Sequence, residues 1–584
     1  MYIPILSAVW SVAMSDTSRQ TEQKSEQKSQ TQCPVHCLYF YILFIGSLLS
    51  SFTTQATSYT WNGSVSTDWN TAANWTPAAV PASTDDITIS TVSVARYPVL
   101  AANTTTNNFT LSGSGVSLNL GSFTLTCNGT TAITAGTISN GNLRVLGGST
   151  SFGSATTYPV INARLTVASL VISNIQNTTF QKPVSMTRTG GYDESANGNN
   201  IYQDSVSLSL TGGLRWTLAR YYADTFNGPL TLTVNKPGVS YGLVINTSQY
   251  NGNLLLNPIR GEIRLSGTLT TNRTLQIGQV GDQYTLTLSN FSSLTQQPIA
   301  LELPLPTGTT VNGGGALSLE NCVFYGDVRA WAYQLAYKGC TFYRRAILQK
   351  TTWVVGGAPG TAKVPDWSTS WTPPSSVPTP IPNPVTTGSD GVILNTFYGP
   401  VIINGGGTWI GGWSGVNQRS IFYDEVTIIN PTNGTFGISY SNTADVFLKK
   451  LTLAGSLFTF GNSGAITTFG EGVVLQDGGV YNGLNLQKII FKGTTARQLT
   501  FGSNTQLHLG TGFVSESELT VTAPHLYLDG AKFLKPVTLI KTTAGDNISI
   551  GGNVFNDKVL IRNRASSGTI QMATQVQDQT VKSQ

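Results

Sequence analysis

Carboxylates that lie close together in the sequence are the groups from which an enzymatic function would be argued. A glycoside hydrolase needs two carboxyl groups roughly 5 to 10 Å apart, and a polysaccharide lyase needs a base together with cations. The nearest pairs are Asp424 with Glu425 and Glu516 with Glu518. Neither pair recurs on a neighbouring repeat. We therefore predict no catalytic residue and retain a polysaccharide-active lyase or hydrolase as the alternative function.

Histidines and arginines add little to that alternative. His508 and His525 are isolated in β-type segments, and the third histidine, His36, lies in the predicted leader. Arg344 and Arg345 could hold an acidic glycan, although a solvated turn explains them equally well. A nucleophile elbow, a Walker loop and a dinucleotide-binding fingerprint are absent from the contexts that they require. No cofactor is expected.

Aromatic residues near the middle of the chain favour a different chemistry, which is carbohydrate binding without catalysis. Tyrosine and tryptophan combine a flat apolar ring with a polar group, so they can stack on a sugar and also hydrogen-bond to it. The alternative is that most of them are packing residues under a loop. The residues predicted to stack on a glycan are Trp331, Tyr333, Tyr343, Trp409 and Trp413.

The five cysteines suggest one disulfide and no metal site. Cys322 and Cys340 lie 18 residues apart, which is close to one turn of the repeat described below. They could therefore stack on adjacent turns and form a disulfide after export, or remain as two buried thiols. The cysteines lack metal-ligand spacing and there are only three histidines, so no structural zinc site is expected.

An aromatic residue followed by an alternating apolar strand recurs along the chain at a nearly fixed distance. In the C-terminal half the spacing is 20 to 25 residues, and similar units occur earlier at Phe180, Phe226, Tyr250, Phe324 and Phe342. Self-similarity at such a period indicates a solenoid. The C-terminal aromatic markers are Phe397, Phe422, Phe447, Phe469, Phe491, Phe513, Phe533 and Phe555.

These repeats predict an all-β, right-handed parallel β-helix of ~22-residue rungs. Each turn would stack on the previous one at ~4.8 Å, with Phe and Tyr residues forming an internal ladder. In particular, Phe422, Phe447, Phe469 and Phe491 should occupy successive turns. Gly-rich pairs such as Asn-Gly and Gly-Gly would supply the corners, where a positive φ is needed.

The start of the chain predicts export. Residues 38–52 form an uncharged apolar run of signal-peptide length, and cleavage is expected after Ala56. Retention as a signal anchor is the alternative. The predicted organisation is a leader at 1–56, a Trp-rich N-terminal cap at 57–90, a first β-helix block at 91–364, a Pro/Ser/Thr-rich loop or linker at 365–390, and a second block at 391–584. No membrane span is expected in the mature chain.

The segment from Tyr59 to Ile89 contains Trp61, Trp69 and Trp75 within short Asn- and Asp-containing stretches. It resembles the opening of secreted, adhesin-like bacterial surface proteins, common in Bacteroidetes, in which a Trp-rich leader precedes β-helical repeats. The FNGPLTL and GGNVFNDKVLI units are similar to repeats of the same class. This resemblance implies a structural, adhesive or display role at the cell surface, with the tryptophans closing the first rung.

Composition sets the remaining limits on partners. Charged residues make up 10% of the chain and the formal net charge is +5, without a basic cluster interleaved with aromatics. Nucleic acid is therefore not expected as a partner. An extracellular polysaccharide or another cell-surface protein fits the predicted location.

Overall fold

The computed structural model confirms the predicted parallel β-helix. It describes residues 56–572 apart from 94, 237–241, 304–314, 351–391, 406–417, 431–435, 439–444 and several short segments between 456 and 512. Residues 56–584 form one of two compact units. Residues 1–55 of the predicted leader and the whole of the predicted linker lie outside the described residues, and their assignments stay predictions.

Each turn carries up to three strands, and strands at equivalent places in successive turns form three parallel faces. Strands that bend from one face into another are Thr137–Val145, Val160–Ser169, Gly242–Tyr250, Leu254–Leu269 and Gln283–Ser293.

The first face contains the strands Ser58–Trp61, Asp86–Ile89, Phe109–Leu111, Thr131–Ile133, Ser149–Phe152, Val171–Ile175, Glu194–Ser195, Trp216–Leu218, Ala316–Glu320, Gln334–Lys338, Phe436–Ile438, Phe458–Phe460, Leu484–Leu486, Gln506–Gly510, His525–Asp529, Asn547–Ile548 and Ile570–Gln571.

The second face contains Ser117–Asn119, Thr179–Phe180, Ile201–Tyr202, Thr225–Phe226, Val323–Phe324, Thr341–Phe342, Ile393–Phe397, Gln418–Phe422, Val446–Phe447, Thr467–Phe469, Ile489–Phe491, Val514–Ser515, Lys532–Phe533 and Val554–Phe555.

The third face contains Thr104–Thr106, Thr124–Cys127, Val184–Arg188, Val206–Leu210, Leu230–Asn235, Leu275–Ile277, Ile299–Glu302, Val328–Ala332, Ala346–Lys350, Val401–Asn404, Val426–Asn430, Leu451–Gly455, Val473–Gln476, Arg497–Thr500, Leu519–Ala523, Val537–Lys541 and Val559–Asn563.

Alternation of apolar and polar residues places one side of each strand in the core. In Val206–Leu210, for example, Val206, Leu208 and Leu210 are buried while the two intervening serines are half-buried. Because strands of successive turns pair in parallel and in register, equivalent side chains lie directly above one another. The hydrophobic core is consequently a set of columns that run from turn to turn.

The inner aromatic column lies on the second face, and it is the predicted internal ladder. Phe422, Phe447, Phe469 and Phe491 are register partners on successive turns, as the sequence predicted. Described ring pairs that stack face to face in this column have centroids 4.7 to 5.7 Å apart. Each buried Phe contributes about 2 to 3 kcal/mol from burial alone, so the column is a principal source of stability.

The column is interrupted at Leu269, Ser293 and Ser515, and the last interruption differs from the prediction. The sequence spacing assigned Phe513 to the column, whereas the register partner of Phe491 is Ser515. Phe513 lies two residues earlier on the same inward side and is fully buried. The same exchange occurs at Ser293, where Phe291 is the buried aromatic. The spacing of aromatic residues in the sequence cannot distinguish two positions that lie two residues apart, because the alternation of side chains along a strand places both in the core.

The tryptophans form an aromatic cluster at the N-terminal end of the first face, as the predicted cap requires. Trp61, Trp69 and Trp75 are at most 2% exposed, and the rings of Trp61 and Trp69 lie 4.9 and 4.8 Å from that of Trp75. A 3-10 turn, Ala72–Asn74, leads into the short strand Trp75–Thr76, which pairs antiparallel with Ser58–Trp61. That pairing covers an otherwise open strand edge.

Candidate functional site

Four outward tyrosines form a second aromatic column immediately outside the inner one. Each follows an inner phenylalanine in the chain, so strand alternation turns the phenylalanine inward and the tyrosine outward. Ring centroids of successive pairs are 4.7, 5.2 and 4.8 Å apart, with interplanar angles of 26° or less. We call this set the tyrosine column, and its members are Tyr325, Tyr343, Tyr398 and Tyr423.

Burial along the tyrosine column is uneven. Tyr343 is 2% exposed, whereas Tyr423 is 43% exposed. Burial raises the pKa of Tyr343 and of Tyr398, and the neighbouring tyrosines of the column raise both further. The phenol groups of Tyr343 and Tyr398 therefore stay protonated at neutral pH. Because stacked rings cover one another's faces, the accessible parts of the column are ring edges and hydroxyl groups, and these are exposed at Tyr423 and not at Tyr343.

Arginines next to the column are held by side chains of neighbouring turns. Arg345 lies 3.3 Å from a carboxylate oxygen of Asp327, and its backbone N–H donates to the same carboxylate. Arg344 donates to the amide oxygen of Gln296 at 3.4 Å. The pairing of Arg345 with Asp327 offsets much of the positive charge that a bound acidic glycan would need.

The structure places the five predicted stacking residues in different surroundings. Tyr343 is a member of the tyrosine column. Trp331 is a half-buried, outward residue of the third face, with Glu302 and Gln349 as its register partners, and Tyr333 is half-buried just after that strand. Trp409 and Trp413 lie outside the described residues. Glycan stacking by these residues stays a prediction.

Sequence reasoning missed three members of the tyrosine column, although the signal was present. The dipeptide Phe-Tyr occurs at 324–325, 342–343, 397–398 and 422–423, at one place in the repeat. An outward residue that recurs at a fixed place in a parallel solenoid must stack on its equivalent. The repeat of the dipeptide would therefore have predicted both columns.

The same outward position carries amides in earlier turns. Asn227 donates to the side-chain oxygen of Gln203 at 2.9 Å, and Asn251 donates to that of Asn227 at 2.8 Å. These residues follow Tyr202, Phe226 and Tyr250 of the inner aromatic column. The side chain at the outward position therefore differs in chemistry between turns, whereas the inward side chain before it has to fit the packing of the core.

Two of the carboxylates considered for catalysis, Asp424 and Glu425, contact neighbouring groups of the solenoid. Asp424 accepts the backbone N–H of Glu425, and a carboxylate oxygen of Glu425 lies 3.4 Å from the ammonium group of Lys450 on the next turn. Glu516 and Glu518 flank the turn between two strands and are half-buried and exposed. These contacts fit structural or solvated roles.

The two histidines are less isolated than the sequence suggested. His508 lies 2.9 Å from a carboxylate oxygen of Asp529 and stacks on Tyr527 with ring centroids 4.3 Å apart. His525 lies 3.4 Å from the amide oxygen of Asn547. Register between the strands Gln506–Gly510 and His525–Asp529 produces the first of these contacts, which sequence spacing alone did not reveal.

Cys322 and Cys340 occupy equivalent inward positions on adjacent turns, each two residues before the inner aromatic column. Both are free thiols, and their sulfur atoms donate to the carbonyl groups of Leu288 and Leu319 at 3.2 and 3.3 Å. Burial raises the pKa of Cys322, and the neighbouring thiol raises it further. The disulfide proposed for export conditions stays a prediction.

Among the described residues, no helix is long and apolar enough to cross a membrane. Comparison of the chain with protein-family models, with curated proteins and with solved structures finds no match.

Proposed function

We propose that the chain is a non-catalytic extracellular protein that serves adhesion or surface display and binds glycans. The observation that carries the proposal is the tyrosine column, whose rings stack every 4.7 to 5.2 Å on the outward side of the second face and become most exposed at Tyr423. Aligned hydroxyl groups of this kind suit a ligand that itself repeats, such as a polysaccharide. In earlier turns, the side-chain amides of Gln203, Asn227 and Asn251 occupy the same outward position and form a similar row of polar groups.

Attachment outside a cell is supported by the predicted signal peptide and by the resemblance of the Trp-rich segment to bacterial adhesin-like proteins. Cross-turn ion pairs support a structural use of the charged residues. Arg260 contacts Asp282 at 2.9 Å and Arg329 contacts Glu302 at 2.7 Å, each joining adjacent turns. A lyase or hydrolase would instead need carboxylates free to meet substrate.

The test uses the full chain and measures binding and turnover in the same preparation. A panel of immobilised glycans reports saturable binding, and polysaccharide digests report new reducing or unsaturated ends. We expect binding without product. Product formation that is abolished by Glu516→Gln with Glu518→Gln, or by Asp424→Asn with Glu425→Gln, would replace the proposal with the enzymatic alternative. Mass spectrometry of the exported protein should give an N-terminus after Ala56.

A further inference from the structure

Three exposed tyrosines lie at one corner of the solenoid, away from the tyrosine column. Tyr158, Tyr221 and Tyr222 are 67%, 65% and 56% exposed. All three occur in turns that join the first face to the second. Isolated bridges align Gln176 with Gly198 and Gly198 with Tyr222, so the turns stack in register. The corner is built by the successive segments 154–158, 176–178, 197–200 and 219–223.

Backbone hydrogen bonds hold the tyrosine-bearing turn firmly. The N–H of Arg220 donates to the carbonyl of Ala196 at 2.9 Å, and the N–H groups of Tyr221 and Tyr222 both donate to the carbonyl of Asn197 at 3.0 Å. Three consecutive residues are therefore anchored to the turn below. A ligand that stacks on these rings would not have to order the backbone, which lowers the entropic cost of binding.

A row of amides lies on the two turns between Tyr158 and the turn of Tyr221 and Tyr222. Asn199 donates to the side-chain oxygen of Asn177 at 2.7 Å, and Asn177 donates to the carbonyl of Ser154 at 2.7 Å. Beside them, Asn197 donates to the side-chain oxygen of Gln176 at 2.9 Å. Asn199 is exposed, and a carboxamide has two donors and two acceptor sites, so it keeps capacity for further hydrogen bonds.

The charge of the four segments and the distance that they span indicate the class of ligand that fits this corner. The four segments contain no acidic residue, and their one cation, Arg220, lies with its guanidinium carbon 5.0 Å from the ring centroid of Tyr221. Tyr158 precedes the turn of Tyr222 by three rungs, which corresponds to about 14 Å along the stack. That span exceeds one sugar ring and suits a short oligosaccharide.

We propose that this corner, the corner platform of Tyr158, Asn199, Arg220, Tyr221 and Tyr222, binds a neutral hexose-based oligosaccharide. The inference rests on the proposed function and adds a glycan-binding place that is separate from the tyrosine column, together with the class of glycan bound there. Open rings at both ends stack on the apolar faces of sugars, and the amides between them pair with hydroxyl groups. The arginine already interacts with a ring, so the platform does not depend on an anionic group.

The experiment measures affinity of the full chain for soluble neutral oligosaccharides by titration calorimetry. The variants are Tyr158→Ala and the double variant Tyr221→Ala with Tyr222→Ala. Tyr192→Ala is the matched control, because Tyr192 is 82% exposed but lies in a turn at a different corner. Removing a stacking ring should lower affinity about tenfold or more, whereas the control should bind as the wild type does.

The outcomes separate this inference from the function on which it rests. Loss of binding in the platform variants with retention in Tyr192→Ala supports the platform. Binding that all variants retain overturns the platform while leaving glycan binding intact, and a wild-type chain that binds only anionic glycans overturns the neutral ligand class. A wild-type chain that binds no glycan overturns both. Circular dichroism of each variant identifies any loss of affinity that is due to misfolding.

Discussion

The tyrosine column and the corner platform use the same side chain in opposite ways. In the column, tyrosines follow regular strands, so register stacks each ring on the next at about 4.8 Å and covers its faces. In the platform, the chain leaves the strand through Ala219, whose φ is +52°, and the rings of Tyr221 and Tyr222 remain open. Regular repetition therefore leaves only ring edges and hydroxyl groups of aromatic residues accessible, whereas a local irregularity also exposes ring faces to a ligand.

The largest expected difference between the two regions is a pH dependence of the free energy of unfolding. It arises from Asp224, which is buried beneath the corner platform. One of its carboxylate oxygens accepts the backbone N–H and the side-chain amide of Asn200 at 2.8 and 2.9 Å. Burial raises the pKa of Asp224 from 3.8 to about 7. The folded state thus holds a proton that the unfolded state releases above pH 4. The free energy of unfolding should fall between about pH 4 and 7, by up to about 4 kcal/mol.

Asp224→Asn keeps the hydrogen bonds of the accepting oxygen and cannot ionise. We expect the fall in unfolding free energy across this pH window to be absent in that variant, as measured by urea unfolding at several pH values. Asp204→Asn, at an exposed aspartate near the same turns, provides the control. An unchanged pH profile in Asp224→Asn would show that the carboxylate does not carry the effect.

The two regions should also differ in how much stability the protein loses when one tyrosine ring is removed from each. Tyr343→Ala removes a 2% exposed side chain that stacks on two neighbours, so it should lower the free energy of unfolding by about 3 kcal/mol. Tyr222→Ala removes a ring that is 56% exposed and should change stability by less than about 0.5 kcal/mol.

Urea unfolding of both variants tests this contrast, and Tyr343→Phe serves as the control that keeps the stack. The phenylalanine variant should lose about 1 kcal/mol, the value of one hydrogen-bonding hydroxyl group. Equal losses in Tyr343→Ala and Tyr222→Ala would mean that the two regions do not differ in the way their exposure indicates.

The fold was predictable because parallel stacking imposes the repeat on the sequence. Inner positions such as Phe422 and Phe447 must match from turn to turn, so their spacing is visible. The corner platform was not predictable, because its residues occur once and meet only through register between turns. The contact between His508 and Asp529 could not be predicted for the same reason. The sequence assigned Phe513 to the wrong position because strand alternation leaves two inward positions available to an aromatic residue.

The smallest expected effect concerns Arg220, which distinguishes the corner platform from the column by adding a cation to a ring. Its guanidinium also donates to the hydroxyl oxygen of Ser195 at 2.8 Å. A double-mutant cycle of Arg220→Gln and Tyr221→Ala should give a coupling energy of about 0.5 to 1 kcal/mol, the range for exposed cation–π pairs. Arg215→Gln in the same cycle should show no coupling, because Arg215 precedes a different strand. A coupling of zero for Arg220 would mean that the contact with the guanidinium does not help to position Tyr221, whose backbone hydrogen bond would then be the contact that holds it.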